Sequence, residues 1–546
     1  MRRAIYCLLL AFIPGAIFLA LFHPSILDIG NAGWVLRGDD LGANALGMHA
    51  WLHDQAAGWS PRTGLLNAPE GTSLLFTDSN PLLGLLAKPL APLLPADTQL
   101  LGVWLLTCCF LQALFAWALL RRHAPGFATL WCGVALLCML PTWFHRYVHP
   151  NLFAHWMILC ALWIFADRKR ATRLRWWAPL IVVAALVHVY LLLMVAAIWA
   201  SALFEGFVTV PSPAAKLERL RIAGGAAMIL VMTLLLGALH GGGGSFVVTG
   251  SYGAFAMPLD ALWNPANPGY HAILPAIPQR EGRGYEVFQY LGVGILLLLG
   301  VAIVIARQRP PAPSEGDLLR RLRWLLPAYV VLLLLAVSNF PDIAGHRLPR
   351  LPLPDIIAPL LDLVRASGRL FWPIAYTLVL IAILAVYRLG KKQAATVLAM
   401  LLLVQAIDIA PMVGVVRSQT AEADRRRLYV RTLDRRWQAA IAAARDITFE
   451  PADPMLDRQL FEEIAWRAVS IGKPLRVSST SRIDTRTAAR LAGEHARFMA
   501  GDLDPQRLYI LLPGAAPPST ARGRVITLDG TRVILAATPS GKTAVH

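Results

Sequence analysis

The sequence predicts an α-helical polytopic membrane protein of about eleven spans, followed by a small α/β domain. Hydrophobic residues make up 56% of the chain, charged residues only 15%, and the mean hydropathy is +0.54. Soluble proteins ordinarily carry about 25% charged residues. Several apolar runs, such as 100–120 and 287–306, also reach the roughly 18 residues that cross a bilayer. Composition and run length together exclude an ordinary soluble enzyme.

Arginine clusters between the apolar runs predict the orientation. Short loops rich in Lys and Arg stay in the cytoplasm, so Arg2 and Arg3 place the N-terminus inside. The net charge of +18 then reflects topology rather than nucleic-acid binding. We predict a bacterial inner-membrane protein, with residues 1–415 as a transmembrane domain that has a large first outer loop at 23–99. The tail, 416–546, is predicted to be a periplasmic α/β domain.

The apolar segment 176–207 is too long for one short span and ends near another basic loop. We predict two short helices with a turn near His188-Val-Tyr190, because one crossing would move that loop outside. Each half reaches only about 18–27 Å, so the turn stays at membrane depth. Non-helical backbone at that depth is tolerated beside protein or a water-filled cavity. We therefore expect His188 to line a cavity.

The tail shows helical and strand-like patterns in alternation. Asp529-Gly530 is typical of a hairpin turn between the last two strands. The predicted helices lie at about 420–445, 455–471 and 484–500, and the predicted strands at 475–478, 508–512, 525–528 and 533–536.

Two adjacent carboxylates, Asp39 and Asp40, stand in the first outer loop. A carboxylate beside another has a raised pKa and can act as a general base toward a hydroxyl. The alternative is that Asp39 caps the helix that follows, a common role of aspartate. The pair offers no complete metal ligand set. A divalent cation stays an option, and no cofactor is predicted with certainty.

Arg365 and Arg369 flank a small-residue turn at the outer mouth of a span. Two guanidinium groups suit a phosphate or diphosphate, because each presents a fork of donors and keeps its charge. The alternative is that both side chains snorkel to lipid headgroups. Six further polar residues are candidates to line a substrate cavity, and none is assigned to a metal: Asp78, His155, His188, Tyr190, Glu286 and Gln289.

Several short motifs occur in a characteristic order along most of the chain: Gly38-Asp39 with Leu46-Gly47, Gly71-Thr-Ser-Leu-Leu-Phe-Thr-Asp-Ser79, His155-Trp156, His188-Val-Tyr190, Tyr285-Glu286 with Gln289-Tyr290, and Arg365-Ala-Ser-Gly-Arg369. In its large acidic first outer loop, short helix pair, odd span count and outer C-terminal domain, the chain resembles the GT-C superfamily of membrane glycosyltransferases. In the motifs it looks most similar to a bacterial family of polytopic GT-C-like proteins without assigned chemistry.

The resemblance implies a GT-C-like fold and an inverting hexosyl- or pentosyltransferase that uses a polyprenyl-phosphate sugar donor at the periplasmic face. Asp39 matches the position of the catalytic base, with Asp40 as its neighbour, and the arginines would bind the donor phosphate. The implied partners are the lipid-linked donor, a glycan, lipid or protein acceptor, and membrane lipids. A non-catalytic lipid-linked glycan transporter or an assembly scaffold is the alternative. A transporter predicts charges within the spans, where Asp408 is the main one.

Overall fold

The structure is a computed structural model and describes residues 2–209, 212–239, 252–280, 282–354, 356–357, 361–362, 364–481, 483–518 and 524–535. Its helices of seven or more residues are α1 (Arg2–Leu21), α2 (Asp40–His53), α3 (Pro81–Ala87), α4 (Leu101–Leu120), α5 (Phe127–Leu137), α6 (Trp156–Phe165), α7 (Leu174–Val187), α8 (Val189–Thr209), α9 (Pro213–Leu239), α10 (Val293–Gln308), α11 (Pro313–Leu322), α12 (Leu326–Val337), α13 (Trp372–Tyr387), α14 (Lys391–Ala421), α15 (Arg436–Ala443), α16 (Arg458–Ser470) and α17 (Thr485–Met499).

The chain divides into two compact units. The first, a helical unit, contains the described residues of 2–24, 103–233 and 252–421. The second, a mixed unit, joins 25–102 to 234–239 and to the described residues from 422 onward. The two are described separately below.

Apolar helices of membrane-spanning length occur in the helical unit, as the composition predicts. Four described helices are long and apolar enough to cross a bilayer: Leu101–Leu120, Val189–Thr209, Ser367–Tyr387 and Lys391–Arg425. Two bent pairs raise this to six if each is one span: Phe127–Leu137 with Pro141–Val148, bent by 49°, and Val293–Gln308 with Pro313–Val337, bent by 117°. The membrane character is supported, whereas the count of about eleven spans is not confirmed.

The predicted break at residue 188 is confirmed. Helix α7 ends at Val187, His188 is extended (φ −164°, ψ 134°), and α8 begins at Val189 and packs against α7. The His188 Nδ1 atom accepts the Tyr190 N–H at 3.1 Å. The two halves are unequal, because α8 runs for 21 residues. Its end is held by Glu205, whose carboxylate forms a buried ion pair with Arg321 at 2.7 Å.

Asp408, the acidic residue in the last predicted span, has a structural role. Its buried carboxylate accepts hydrogen bonds from the Tyr290 hydroxyl at 2.6 Å, from Val293 N at 3.0 Å and from Ile273 N at 3.2 Å. Helix α10 packs closely on α14 at this point, since a Cβ at Gly294 would lie 2.4 Å from the Leu401 carbonyl oxygen. These contacts fix the start of α10 and the polar segment that precedes it.

The mixed unit contains a four-stranded sheet of β1 (Asp446–Glu450), β2 (Arg507–Leu511), β3 (Val525–Leu528) and β4 (Thr531–Ile534), in the order β1-β2-β4-β3. Strands β1 and β2 are parallel, and the other pairs are antiparallel. The predicted Asp529-Gly530 hairpin is confirmed, with positive φ at both residues (43° and 81°). The strand predicted at 475–478 was wrong: it forms a single bridge from Leu475 to Ile447.

First-loop residues belong to the same mixed unit as the sheet. The Ala68 N–H donates to Leu475 O at 2.9 Å, and the Leu475 N–H donates to Leu65 O at 2.8 Å. Helix α2 packs on α16, where the ring of His49 stacks on Trp466 with centroids 3.7 Å apart. The first loop and the tail are therefore one folded body, although more than 300 residues separate them in sequence.

Substitution of Asp408 by alanine tests this account of the helical unit. Asp408→Ala leaves the buried Tyr290 hydroxyl without an acceptor and removes the acceptor of two part-buried backbone N–H groups. One buried donor without a partner costs about 1–3 kcal/mol, so the loss is at least of this size. Thermal unfolding in detergent measures it. The control is Thr396→Ala, an exposed position on the same helix. Equal melting temperatures for the two variants would contradict the structural role.

Candidate functional site

The acidic turn at the start of α2 is built around Asp39. Gly38 has a φ of +79°, which favours glycine, and it leads into an extended Asp39. The Asp39 Oδ1 atom accepts the Leu41 N–H at 2.8 Å, so Asp39 is the N-cap of the helix. The capping alternative is thus confirmed.

Helix α16 supplies an arginine and a glutamate to this turn. The Arg458 Nη2 atom lies 2.9 Å from Asp40 Oδ1, and the Gly38 N–H donates to Glu462 Oε2 at 2.8 Å. The Glu462 side chain is buried, and it faces the backbone of α2 at Gly42. Sequence analysis missed Glu462 because no local pattern pairs it with a residue 424 positions earlier.

The electrostatics of the turn suit proton transfer. Burial raises the pKa of Asp39 to about 6, and the neighbouring Asp40 adds to the rise, while the Leu41 N–H and Arg458 oppose it. Burial also raises the pKa of Glu462 well above its usual range, with Asp39 adding to the effect. A carboxyl that titrates near neutral pH is matched to general-base work.

A second polar cluster, the arginine cluster, lies in the helical unit around Glu286. The Arg369 Nη2 atom lies 2.5 Å from Glu286 Oε2, and the His149 Nε2 atom lies 4.0 Å from the same oxygen. Burial alone would raise the pKa of Glu286, but Arg369, His149 and Arg146 together lower it to about 2. Glu286 is therefore ionised at neutral pH and holds the Arg369 guanidinium by charge.

Arg146 is a further member of the arginine cluster that the site prediction did not include. It is buried and donates to Tyr285 O at 2.7 Å and to Glu286 O at 3.3 Å, and it also contacts His145. Its contacts fix the backbone that carries Glu286. The signal available in the sequence was a cationic residue in a short loop between two predicted spans, beside His145 and His149.

Arg365 differs from Arg369 in its surroundings. Its guanidinium lies 5.4 Å from the ring centroid of Phe255 and is half-buried. In the part of the chain that the structure describes, no carboxylate forms an ion pair with Arg365. Its positive charge is therefore available to an anionic ligand, whereas that of Arg369 is shared with Glu286.

Two other predicted residues hold the turn between the arginines. The Gln289 Nε2 atom donates to Gly368 O at 2.9 Å, and the Tyr190 hydroxyl accepts the Ala366 N–H at 2.8 Å. The Arg369 guanidinium also lies over the Tyr190 ring at 5.4 Å. His188, bound to the Tyr190 N–H, is adjacent to this group.

The remaining predicted residues lie elsewhere. His155 is buried in the helical unit, where its ring contacts Trp372 and its Nδ1 atom lies 3.0 Å from the Tyr376 hydroxyl. Asp78 lies in the mixed unit, in a left-handed conformation (φ 54°), and its carbonyl accepts a hydrogen bond from Asn44. Among the described residues, no group of three or more His, Cys, Asp or Glu side chains could hold a metal ion.

Two family models match most of the chain. A family model described as "Domain of unknown function (DUF6311)" matches residues 11–410, and one described as "DUF6311 C-terminal domain" matches residues 436–536. The chain belongs to the DUF6311 family. No curated protein matches the DUF6311 chain.

Among solved structures, the chain is similar to the archaeal oligosaccharyltransferase AglB from Archaeoglobus fulgidus, which was solved in complex with an inhibitory peptide and a dolichol-phosphate. The TM-score is 0.41 at 12% sequence identity. The alignment covers 93% of the DUF6311 chain and 69% of AglB.

The raised pKa of Asp39 predicts a pH-dependent stability. A carboxyl with a raised pKa stabilises the folded state at low pH, and this stabilisation is lost as the pH rises from 3.8 toward about 6. Asp39→Asn keeps a capping oxygen and removes the ionisation. It should gain about 2–3 kcal/mol relative to the unsubstituted DUF6311 protein between pH 4 and pH 7.

Melting temperatures of both proteins over this pH range provide the measurement. Asp502→Asn, which removes an exposed carboxylate of the same unit, is the control. A difference between Asp39→Asn and the parent that does not vary with pH would show that Asp39 is not the perturbed group.

Proposed function

We propose that this DUF6311 protein is a membrane glycosyltransferase that transfers a sugar from a polyprenyl-phosphate donor to an acceptor hydroxyl at the periplasmic face of the inner membrane. The observation that carries the proposal is Asp39: a capped, half-buried carboxyl in the first loop, with a pKa of about 6. The resemblance to GT-C enzymes implies a base at this same residue.

The proposed reaction is a direct displacement with inversion at the anomeric carbon. The Asp39 carboxylate accepts the proton of the acceptor hydroxyl, and the hydroxyl oxygen forms a bond to the anomeric carbon. The bond from that carbon to the donor phosphate oxygen breaks, and its electron pair leaves with the phosphate. Fixed positive charge near the phosphate stabilises the negative charge that develops there.

The proposed phosphate ligands are Arg365 and Arg369. Arg365 offers a guanidinium to which no described carboxylate is paired, and Arg369 is held in one orientation by Glu286 and by the Tyr190 ring. A ligand group whose own position is fixed binds with a smaller loss of conformational entropy. Glu286 therefore serves as the orienting partner in this proposal and not as the base.

The proposed orientation has structural support. Residues 25–102 follow α1 and residues from 422 onward follow α14, yet both belong to the mixed unit. Two segments that fold into one body lie on the same side of a membrane. If Arg2 and Arg3 mark the cytoplasmic end of α1, that side is the periplasm.

The non-catalytic alternatives receive less support from the spans. A transporter would use charged groups within its helices, and Asp408 is already occupied by three hydrogen bonds. An assembly scaffold would bind lipid-linked sugar without releasing a product. An assay that measures both binding and transfer distinguishes a scaffold from an enzyme.

The decisive assay incubates the purified full-length protein with a panel of radiolabelled polyprenyl-phosphate sugars. Asp39→Asn should abolish transfer and retain donor binding, since Asn accepts no proton. Arg365→Ala should instead weaken donor binding by about tenfold or more, the loss expected for one charge-assisted contact. Arg350→Ala, an exposed arginine that stacks on Phe340, is the matched control.

Transfer by Asp39→Asn at the parent rate would remove Asp39 as the base. Donor binding without transfer by the parent protein would favour the scaffold, and movement of the donor across vesicles without transfer would favour the transporter.

A further inference from the structure

We propose that α16 of the C-terminal segment is part of the acid site, and that Arg458 and Glu462 are positioning residues that hold the turn from Gly38 to Asp40. This inference rests on the proposed function, because it assigns a role relative to Asp39 as the base. It goes beyond that function by making the tail necessary for orienting the base.

The two contacts are made by the residues on either side of Asp39 in the sequence. Glu462 accepts the N–H of Gly38, which precedes Asp39, and Arg458 binds the carboxylate of Asp40, which follows it. Residues four apart on a helix lie on one face, so a single face of α16 makes both contacts. The backbone of Asp39 is therefore fixed on either side by one rigid element.

The neighbouring glutamate shows that Glu462 has a distinct task. The Glu463 carboxylate accepts backbone N–H groups from Val430, Arg431 and Thr432, which anchors α16 to the preceding chain. No lysine, arginine or histidine of the described residues forms an ion pair with Glu462. Burying a carboxyl destabilises the folded state unless the carboxyl is hydrogen-bonded. The hydrogen bond from the Gly38 N–H is therefore the contact that offsets the cost of burying Glu462.

Glycine at position 42 leaves room for the Glu462 carboxyl. A Cβ on Gly42 would lie 2.1 Å from the Glu462 carboxyl carbon, so a side chain there would displace that carboxyl. A Cβ on Gly38 would lie 3.0 Å from Gln459 N, and its φ of +79° also disfavours a side chain. Both glycines thus bring the turn into contact with α16.

The charge state of Glu462 makes glutamine a close replacement. Burial raises its pKa, Asp39 and Asp40 raise it further, and the Gly38 N–H and Arg458 lower it. The net rise favours the uncharged acid over the carboxylate. Glutamine has the same length and keeps an oxygen that accepts the Gly38 N–H.

The test compares Glu462→Ala with Glu462→Gln in the purified full-length protein. Glu450→Gln is the control, because Glu450 is a buried glutamate of the same unit that bonds to His495. Amide hydrogen exchange over residues 36–42 and transfer kinetics with the radiolabelled donor are both measured.

We expect Glu462→Ala to accelerate exchange at 36–42 and to lower kcat by about 100-fold, with KM changed by less than about threefold. Glutamine should restore both readouts to within about fivefold of the parent. Unchanged exchange at 36–42 in Glu462→Ala, or a kcat equal to that of Glu450→Gln, would overturn the inference. If the Glu462 contact were purely structural, Glu462→Ala would lower the melting temperature without lowering kcat at a nearly constant KM.

Arg458→Gln provides a second test should the alanine variant not fold. It keeps Glu462 and removes only the contact to Asp40, so faster exchange and a lower kcat are again expected, and parent-like values of both would overturn the proposal. If the parent itself transfers no sugar, the proposed function fails, while the exchange comparison still decides whether α16 holds the turn.

Discussion

The packing of α2 against α16 is the contact on which the rest of the mixed unit depends. It buries the stacked rings of His49 and Trp466, and it brings Gly42 against Glu462. The helices come from opposite ends of the chain, so neither the acidic turn nor the sheet domain is complete alone. Because buried aromatic and backbone contacts cost several kcal/mol to break, this packing keeps the first loop and the tail together.

In the helical unit, buried polar contacts hold the loops in place. Arg283 and Asp342 form an ion pair at 2.7 Å with both side chains buried, and Arg283 also donates to Gly253 O and Phe340 O. Removing one partner of such a buried ion pair is strongly destabilising. The contacts of Arg283 therefore hold the loop that leads to Glu286 firmly in place. The polar residues of the arginine cluster thus lie on a firmly held backbone, which the proposed phosphate binding requires.

Local patterns predicted local features of the fold well. The break at His188, the Asp529-Gly530 hairpin and the capping role of Asp39 each depend on neighbouring residues, and each is confirmed. Strand β1 was missed because it follows the helical pattern of α15 directly, and only tertiary burial of its five residues selects the strand.

Contacts between distant segments could not be predicted. Glu462 reaches the first loop across 424 residues, and Arg146 binds the backbone at Tyr285 across 139. Asp408 was the main charge within the predicted spans, and the sequence did not indicate its partners, which are Tyr290 and Val293. For a polar residue in an apolar segment, the sequence indicates that a partner exists but not which residue it is.

The proposed function requires that the acidic turn and the two arginines face the same, periplasmic side of the membrane. Single cysteines at exposed positions report this directly: Trp59→Cys and Met499→Cys in the mixed unit, Leu351→Cys in the loop before Arg365, and Lys392→Cys at the start of α14. The five described native cysteines are buried, which keeps background labelling low. With an impermeant maleimide on intact spheroplasts, we expect positions 59, 351 and 499 to react and position 392 to react only after permeabilisation. Labelling of 59 and 351 from opposite sides would contradict the account.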